Sequence, residues 1–246
     1  MKNPCRNLPR RSESAGRAVS VFEGIGGLPG FIADKPRWVR LGKTLKYALY
    51  VSTHPFDGFW DLTHEKRGSL AAANVIAGAA VLVEILRLTL TNFQFITVNM
   101  EYFNALTAAL RVILPLLLWT VSNWSLTTLM DGKGRLGDIY MATSYALTPY
   151  VIINAVMIVV SWLITYEEGA VYYVMVSFSA LWSGLLVLAG MMMIHDYSAS
   201  KTILSSLLAI AGMGIMVFIF VVFFSLISDS AAYFVSLYKE ILFRLI

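Results

Sequence analysis

The sequence predicts an all-α membrane protein with five transmembrane helices, a basic amphipathic helix before them and a short interfacial helix after them. Three observations predict it. Five apolar runs, Ser69–Leu90, Leu106–Met130, Ile139–Ile164, Val171–Ile194 and Ile203–Ile227, approach or exceed the ~20 residues that cross a hydrocarbon core. The chain is 58% hydrophobic, 14% charged and has a mean hydropathy of +0.69, where soluble domains carry about a quarter charged residues. The basic residues are also unevenly placed, with 12 of 19 Lys and Arg preceding Ser69. At 246 residues the chain suits one five-helix bundle without a second large soluble domain. With Cys5 alone, it has neither an internal disulfide nor a cysteine-based metal site.

Residues 1–35 read as a flexible basic tail, broken by Gly24, Gly26, Gly27, Pro29 and Gly30. No apolar h-region follows its basic start, so the first span is expected to act as an uncleaved targeting signal. Residues 36–68 form a cytosolic interfacial segment. Pro36 suits a first helical turn. Trp38, Leu41, Leu45, Ala48 and Leu49 share one arc, and Arg40, Lys43 and Lys46 lie mainly opposite. Such a helix either lies on an anionic leaflet or docks on protein. In the turn that follows, Phe56, Phe59 and Trp60 join Trp38 as expected interfacial anchors.

The five-helix domain is placed at 69–228. Lys133 and Arg135 lie between spans two and three, and Lys201 between spans four and five. Residues 91–105 carry no Lys or Arg, and the alternate loop near Thr165 carries Glu167 and Glu168. The positive-inside rule then gives a cell-membrane protein with a cytoplasmic N-terminus and an extracellular C-terminus. From Asp229 or Ser230 as a cap, Phe234, Leu237, Tyr238, Ile241, Leu242 and Leu245 repeat at helical spacing, giving a separate amphipathic helix over 229–246.

No catalytic signature is present. Gly132-Lys133-Gly134 lacks P-loop spacing and a preceding strand. His54, Asp57, Asp61 and His64 are better read as interfacial polar residues than as metal ligands, since Pro55 separates His54 from the rest. No enzyme activity, cofactor, metal or nucleic-acid partner is expected. The charges inside the spans are the exceptions in a chain solvated by lipid. Glu84 lies about 9 Å below Leu90, and Arg111 about 10 Å along the returning helix from Asn104. Their matched depths predict an intramembrane ion pair, with Arg87 reaching the outer interface. A solute path and a contact with a second membrane protein are the other readings. Small-residue rows at Ser69, Ala73 and Ala77, and at Ser205 and Ala209 near Gly212 and Gly214, predict close helix packing.

The region from Asn123 to Tyr150 is patterned. Trp124 stands at the end of span two, and Asp131, Gly132 and Gly134 build a tight turn. Asp138 caps span three. Pro149 frees a carbonyl inside that span, for which Ser144 or Thr148 can supply a donor. With Thr127, Tyr145 and Tyr150, these positions resemble the Yip domain, the membrane domain of the Ypt/Rab-interacting protein family. The resemblance covers about residues 50–230. The His54–Trp60 and Glu65–Gly68 stretches are similar to the bacterial branch. The resemblance implies a five-helix bundle with a cytosolic N-terminus. It also implies an accessory or scaffold subunit of a larger membrane complex, with the permease or ATPase of a carbohydrate ABC importer as the favoured partner and membrane lipids as surroundings. The alternatives are an independent small-solute channel or carrier, and a lipid-organising or trafficking-type membrane protein.

Overall fold

The computed structural model describes residues 35–65, 67–95, 103–130 and 132–245. The chain divides at Gly42, and Lys43–Ile246 forms the larger unit. Every regular element among the described residues is helical: α1 (Lys35–Thr53), α2 (Pro55–His64), α3 (Leu70–Leu90), α4 (Ala105–Leu129), α5 (Leu136–Ala146), α6 (Thr148–Val160), α7 (Gly169–His195) and α8 (Ala199–Leu245), with a short 3-10 turn at Tyr166–Glu168. Among the described residues five stretches are long and apolar enough to cross a membrane: α3, α4, α5 with α6, the 3-10 turn with α7, and α8.

The starts of these helices are written locally. Ser69 Oγ accepts the Ala72 N–H at 3.1 Å, and Asn104 Oδ1 accepts the Leu106 N–H at 2.8 Å. At the start of α5 the N-cap is Arg135, not Asp138 as expected: Asp138 lies within the first turn, and its Oδ2 accepts the Arg135 N–H at 3.4 Å. The third span is two helices meeting at Leu147. Pro149 has no N–H to give the Tyr145 carbonyl four residues earlier. Thr148 Oγ1 donates to that carbonyl at 2.7 Å instead. Of the two expected helpers Thr148 serves, while Ser144 Oγ is buried with no partner among the described residues.

This kinked span is the centre of the bundle. It packs against α3, α4 and α7, and α8 lies chiefly along α4. The expected small-residue rows make two of these contacts. Ala73 and Ala77 are buried on α3. On α8, Ser205 and Ala209 are buried, Ser122 Oγ donates to the Ala209 carbonyl at 2.7 Å, and a Cβ on Gly212 would strike Ser122 Oγ. Gly214 faces open space and takes no part.

Two further expectations are corrected. The C-terminal stretch is no separate helix at 229–246, because α8 runs unbroken for 47 residues from Ala199 to Leu245. An N-cap at Asp229 or Ser230 needs non-helical backbone, and Ser228–Ala232 contains no Gly or Pro to impose it. Nor is Phe59 an interfacial anchor. It is fully buried, its ring against Gly190 of α7, in a core shared with Val51, Leu62 and Met191. Phe56 and Trp60 are exposed, and the Trp38 side chain lies outside the described residues. From Lys43 onward the pre-span segment is thus docked on protein. Gly58 lets α2 cross α1 closely, since a Cβ there would come within 2.8 Å of Val51 Cα. Burial pushes the Tyr47 phenol well above its usual pKa, so it stays protonated and donates to the Gly58 carbonyl at 2.8 Å. Trp182 Nε1 of α7 donates to the Ser52 carbonyl at 3.2 Å.

Candidate functional site

Two clusters of polar residues bear on the candidate site. The first surrounds Glu84, which is buried on α3. Arg87, one turn further along, gives it two hydrogen bonds of 3.0 Å, from Nε to Oε2 and from Nη2 to Oε1. Tyr150, next to the kink of span three, donates its hydroxyl to Glu84 Oε2 at 2.7 Å. A carboxylate in lipid survives when its charge is paired and its lone pairs are filled, and these three donor bonds do both. The expected partner was different. Arg111 makes no ion pair or hydrogen bond among the described residues, and its side chain stands at the rim of a cleft between α4 and α8. Depth matched Glu84 to Arg111, but rotation about the α4 axis turns Arg111 elsewhere, and an i,i+3 neighbour needs no such coincidence.

The second cluster closes the end of the bundle that carries the Lys133 loop. His195, the last residue of α7, is 2% exposed. The Gly134 N–H donates to His195 Nδ1 at 3.2 Å, so that nitrogen carries no proton in the neutral ring. Nε2 then carries it and donates to Asn123 Oδ1 at 3.1 Å. Tyr197 stacks on the ring at a centroid distance of 5.3 Å and donates its hydroxyl to the Met130 carbonyl at 2.9 Å. Lys201 Nζ reaches the same carbonyl at 3.1 Å and lies 4.0 Å above the Tyr197 ring. Asp196 adopts a left-handed φ of 53°, which turns the chain from α7 into α8. Its carboxylate takes a 2.7 Å bond from Lys133, which holds its pKa below the usual value.

The glycines of the loop are needed for close approach. A Cβ on Gly132 would lie 2.7 Å from Thr127 Cβ and 2.8 Å from His195 Nδ1. On Gly134 it would lie within 2.6 Å of His195 Cε1. The Gly132 N–H donates to the Thr127 carbonyl at 2.7 Å, extending the end of α4 into the loop. Positions 123–150 thus divide between the two clusters. Thr127, Gly132 and Gly134 belong to the His195 cap, and Tyr145, Pro149 and Tyr150 to the kinked span that feeds Glu84. Trp124 faces outward from α4, and Asp131 lies outside the described residues.

A model of the Yip1 domain matches residues 49–222, most of the chain. The chain belongs to the Yip1 domain family. No curated protein and no solved structure matches it. The Yip1 domain match begins in α1 and ends within α8, so it takes in both polar clusters.

Chemically, the two clusters hold structure together. Both nitrogens of His195 are occupied, and Glu84 has its charge neutralised by Arg87. Further polar groups are also used inside the bundle, with Asn154 Nδ2 donating to Ser179 Oγ and to the Tyr150 carbonyl, each at 2.8 Å. His54 and His64 stack on Tyr50 and Trp60. Among the described residues no group of three or more His, Cys, Asp or Glu is arranged to hold a metal ion. Sequence reasoning missed His195. One histidine ending an apolar run carries no local signal, and only the facing Gly134 and Asn123, more than 60 residues away, reveal its role.

Proposed function

We propose that this Yip1-domain protein is a non-enzymatic scaffold, an accessory subunit that holds partner membrane proteins. The observation that carries the reading is the free length of α8. Its 47 residues extend about 70 Å, more than twice a hydrocarbon core of ~30 Å. From Val217 to Phe243 every residue with a described side chain is exposed. Beyond the apolar run ending at Ile227, the Phe234, Leu237, Tyr238 and Ile241 series offers an amphipathic face for a neighbour. The bacterial-branch resemblance supports a carbohydrate ABC importer as the partner. The independent channel or carrier is less well supported, because Glu84, Asn123 and Asn154 each bond within the bundle and line no continuous polar path.

Affinity purification of the full chain in mild detergent tests this. The scaffold reading expects a permease or ATPase to be recovered with the full chain and lost from a chain ending at Ile227. Recovery of the full chain alone, from cells expressing its neighbours, would sink it. The same reading places the protein in the cell membrane with its N-terminus in the cytoplasm, supported by the twelve basic residues before Ser69. In a Cys5→Ser background, an impermeant thiol reagent should label Lys239→Cys but not Lys133→Cys on intact cells. The reverse pattern overturns the orientation.

A further inference from the structure

A cleft of about 770 Å³ opens between α4, the kink of span three, α7 and α8. Ligand pockets commonly measure ~300–1,000 Å³. A second hollow of about 310 Å³ shares Leu185 and Leu188 with it and continues to Phe56 on α2. The two exist because α8 leans on α4 and meets α7 only lightly. Along α8, from Met213 to Ala199, the combined path covers about 21 Å. One leaflet is about half of a ~30 Å core, so an extended acyl chain fits lengthwise.

The wall is almost wholly apolar, with Leu116, Leu147, Leu181 and Ile210 typical of it. Five lining residues carry polar side-chain groups: Thr143 donates to the Ile139 carbonyl and Tyr150 to Glu84, while the other three lack partners among the described residues. Arg111 stands on the rim without an ion pair or hydrogen bond. Ser206 is 4% exposed, and its hydroxyl is unbonded. The Trp119 indole N–H is buried and likewise unbonded. The Ser206 and Trp119 donors are buried and do not open onto the slot, which leaves Arg111 as its charged group. An unpaired cation above an apolar slot has the polarity that an anionic lipid requires.

We propose that the cleft binds one anionic phospholipid, its phosphate on Arg111 and an acyl chain between α7 and α8. The charge selects the occupant. A zwitterionic lipid brings its own cation to the phosphate, whereas an anionic head leaves the phosphate charge to Arg111. An apolar partner helix laid in the cleft would leave Arg111 without a counter-charge. The inference does not depend on the scaffold reading, since it concerns the purified chain.

Gly184 provides a clean block. It lines the cleft, and a Cβ built on it meets nothing within 4 Å, so Gly184→Leu projects into the slot without displacing the backbone. Gly78→Leu is the matched control, because Gly78 also faces open space and lies outside the cleft. Native mass spectrometry of the full chain in mild detergent, titrated with phosphatidylglycerol or with phosphatidylcholine of the same chains, reads the occupancy. One phosphatidylglycerol should be retained in preference to phosphatidylcholine. Arg111→Gln should weaken that retention about fivefold and abolish the headgroup preference. Gly184→Leu should displace the lipid, and Gly78→Leu should not. Equal retention of the two lipids, or an unchanged preference in Arg111→Gln, overturns the headgroup site. Unchanged binding by Gly184→Leu overturns the placement of the chain. Displacement of phosphatidylglycerol by inorganic phosphate alone would show an anion site without a lipid slot. Crosslinks from Gly184→Cys to a second protein in membranes would show that a partner helix fills the cleft. Either result overturns the proposal. Loss of lipid with retained partners, or the converse, separates this inference from the scaffold reading.

Discussion

Replacing Glu84 by Gln keeps the shape of the side chain and removes its charge. Arg87 then loses its counter-ion, keeps at most one of its two 3.0 Å bonds, and stays on the same helix turn. Breaking a buried pair from one side costs about 3–5 kcal/mol in soluble proteins. The Glu84 side chain is 5% exposed and that of Arg87 26%, so the guanidinium can stretch toward the helix end and recover some hydration. That brings the expected cost to about 2–3 kcal/mol. For a chain of this size, it lowers Tm by roughly 5–10 °C. The assay is thermal unfolding of the purified protein in lipid-free mild detergent. Arg87→Gln should cost a similar amount, and the double variant should cost less than the sum of the two, the signature of a coupled pair. Arg111→Gln should leave Tm close to that of the parent. Strictly additive Glu84 and Arg87 effects, or a loss in Arg111→Gln equal to that in Glu84→Gln, would refute the assignment.

Three further outcomes are expected. His195→Ala strips the Gly134 N–H and Asn123 of their partners inside the cap, and should cost about 1–3 kcal/mol in thermal unfolding. A Tm within a degree of the parent would show that the cap is not cohesive. Gly134→Ala should push the 132–135 loop away from His195 and speed its cleavage by limited proteolysis. Gly137→Ala, whose Cβ meets nothing within 4 Å, should not. Asp196 carries a pKa lowered by the Lys133 hydrogen bond. Its contribution to stability is therefore present above the ordinary value of 3.8 and lost as pH falls through the lower folded value. The stability difference between parent and Lys133→Met should accordingly be small, constant near neutrality, and vanish in acid. A difference that grows as pH falls would reverse the sign of the linkage.

Features decided within a few residues were legible in the sequence. Asp138 marks the first turn of α5, and Thr148 answers the carbonyl that Pro149 frees. The glycine turn after span two was readable as a turn, although what it turns against was not. The row of Ser205, Ala209 and Gly212 was visible as a packing surface, but its partner Ser122 was not. In the same way, aromatic character marked Phe56, Phe59 and Trp60 alike, while only the approach of Gly190 shows that Phe59 points inward.

By itself the sequence determined the solvent, the number of spans, where most of them begin, and the kink. Each follows from local quantities: the length of an apolar run, a cap, or a proline with its neighbouring hydroxyl. The tertiary structure decided which polar groups meet. Span lengths fix a residue's depth but leave its angle around the helix axis open, so Glu84 and Arg111 could match in depth and still face apart. Packing against the kinked third span sets that angle. It delivers Tyr150 to Glu84, brings Gly134 and Asn123 to His195, and leaves Arg111 facing the cleft beside α8.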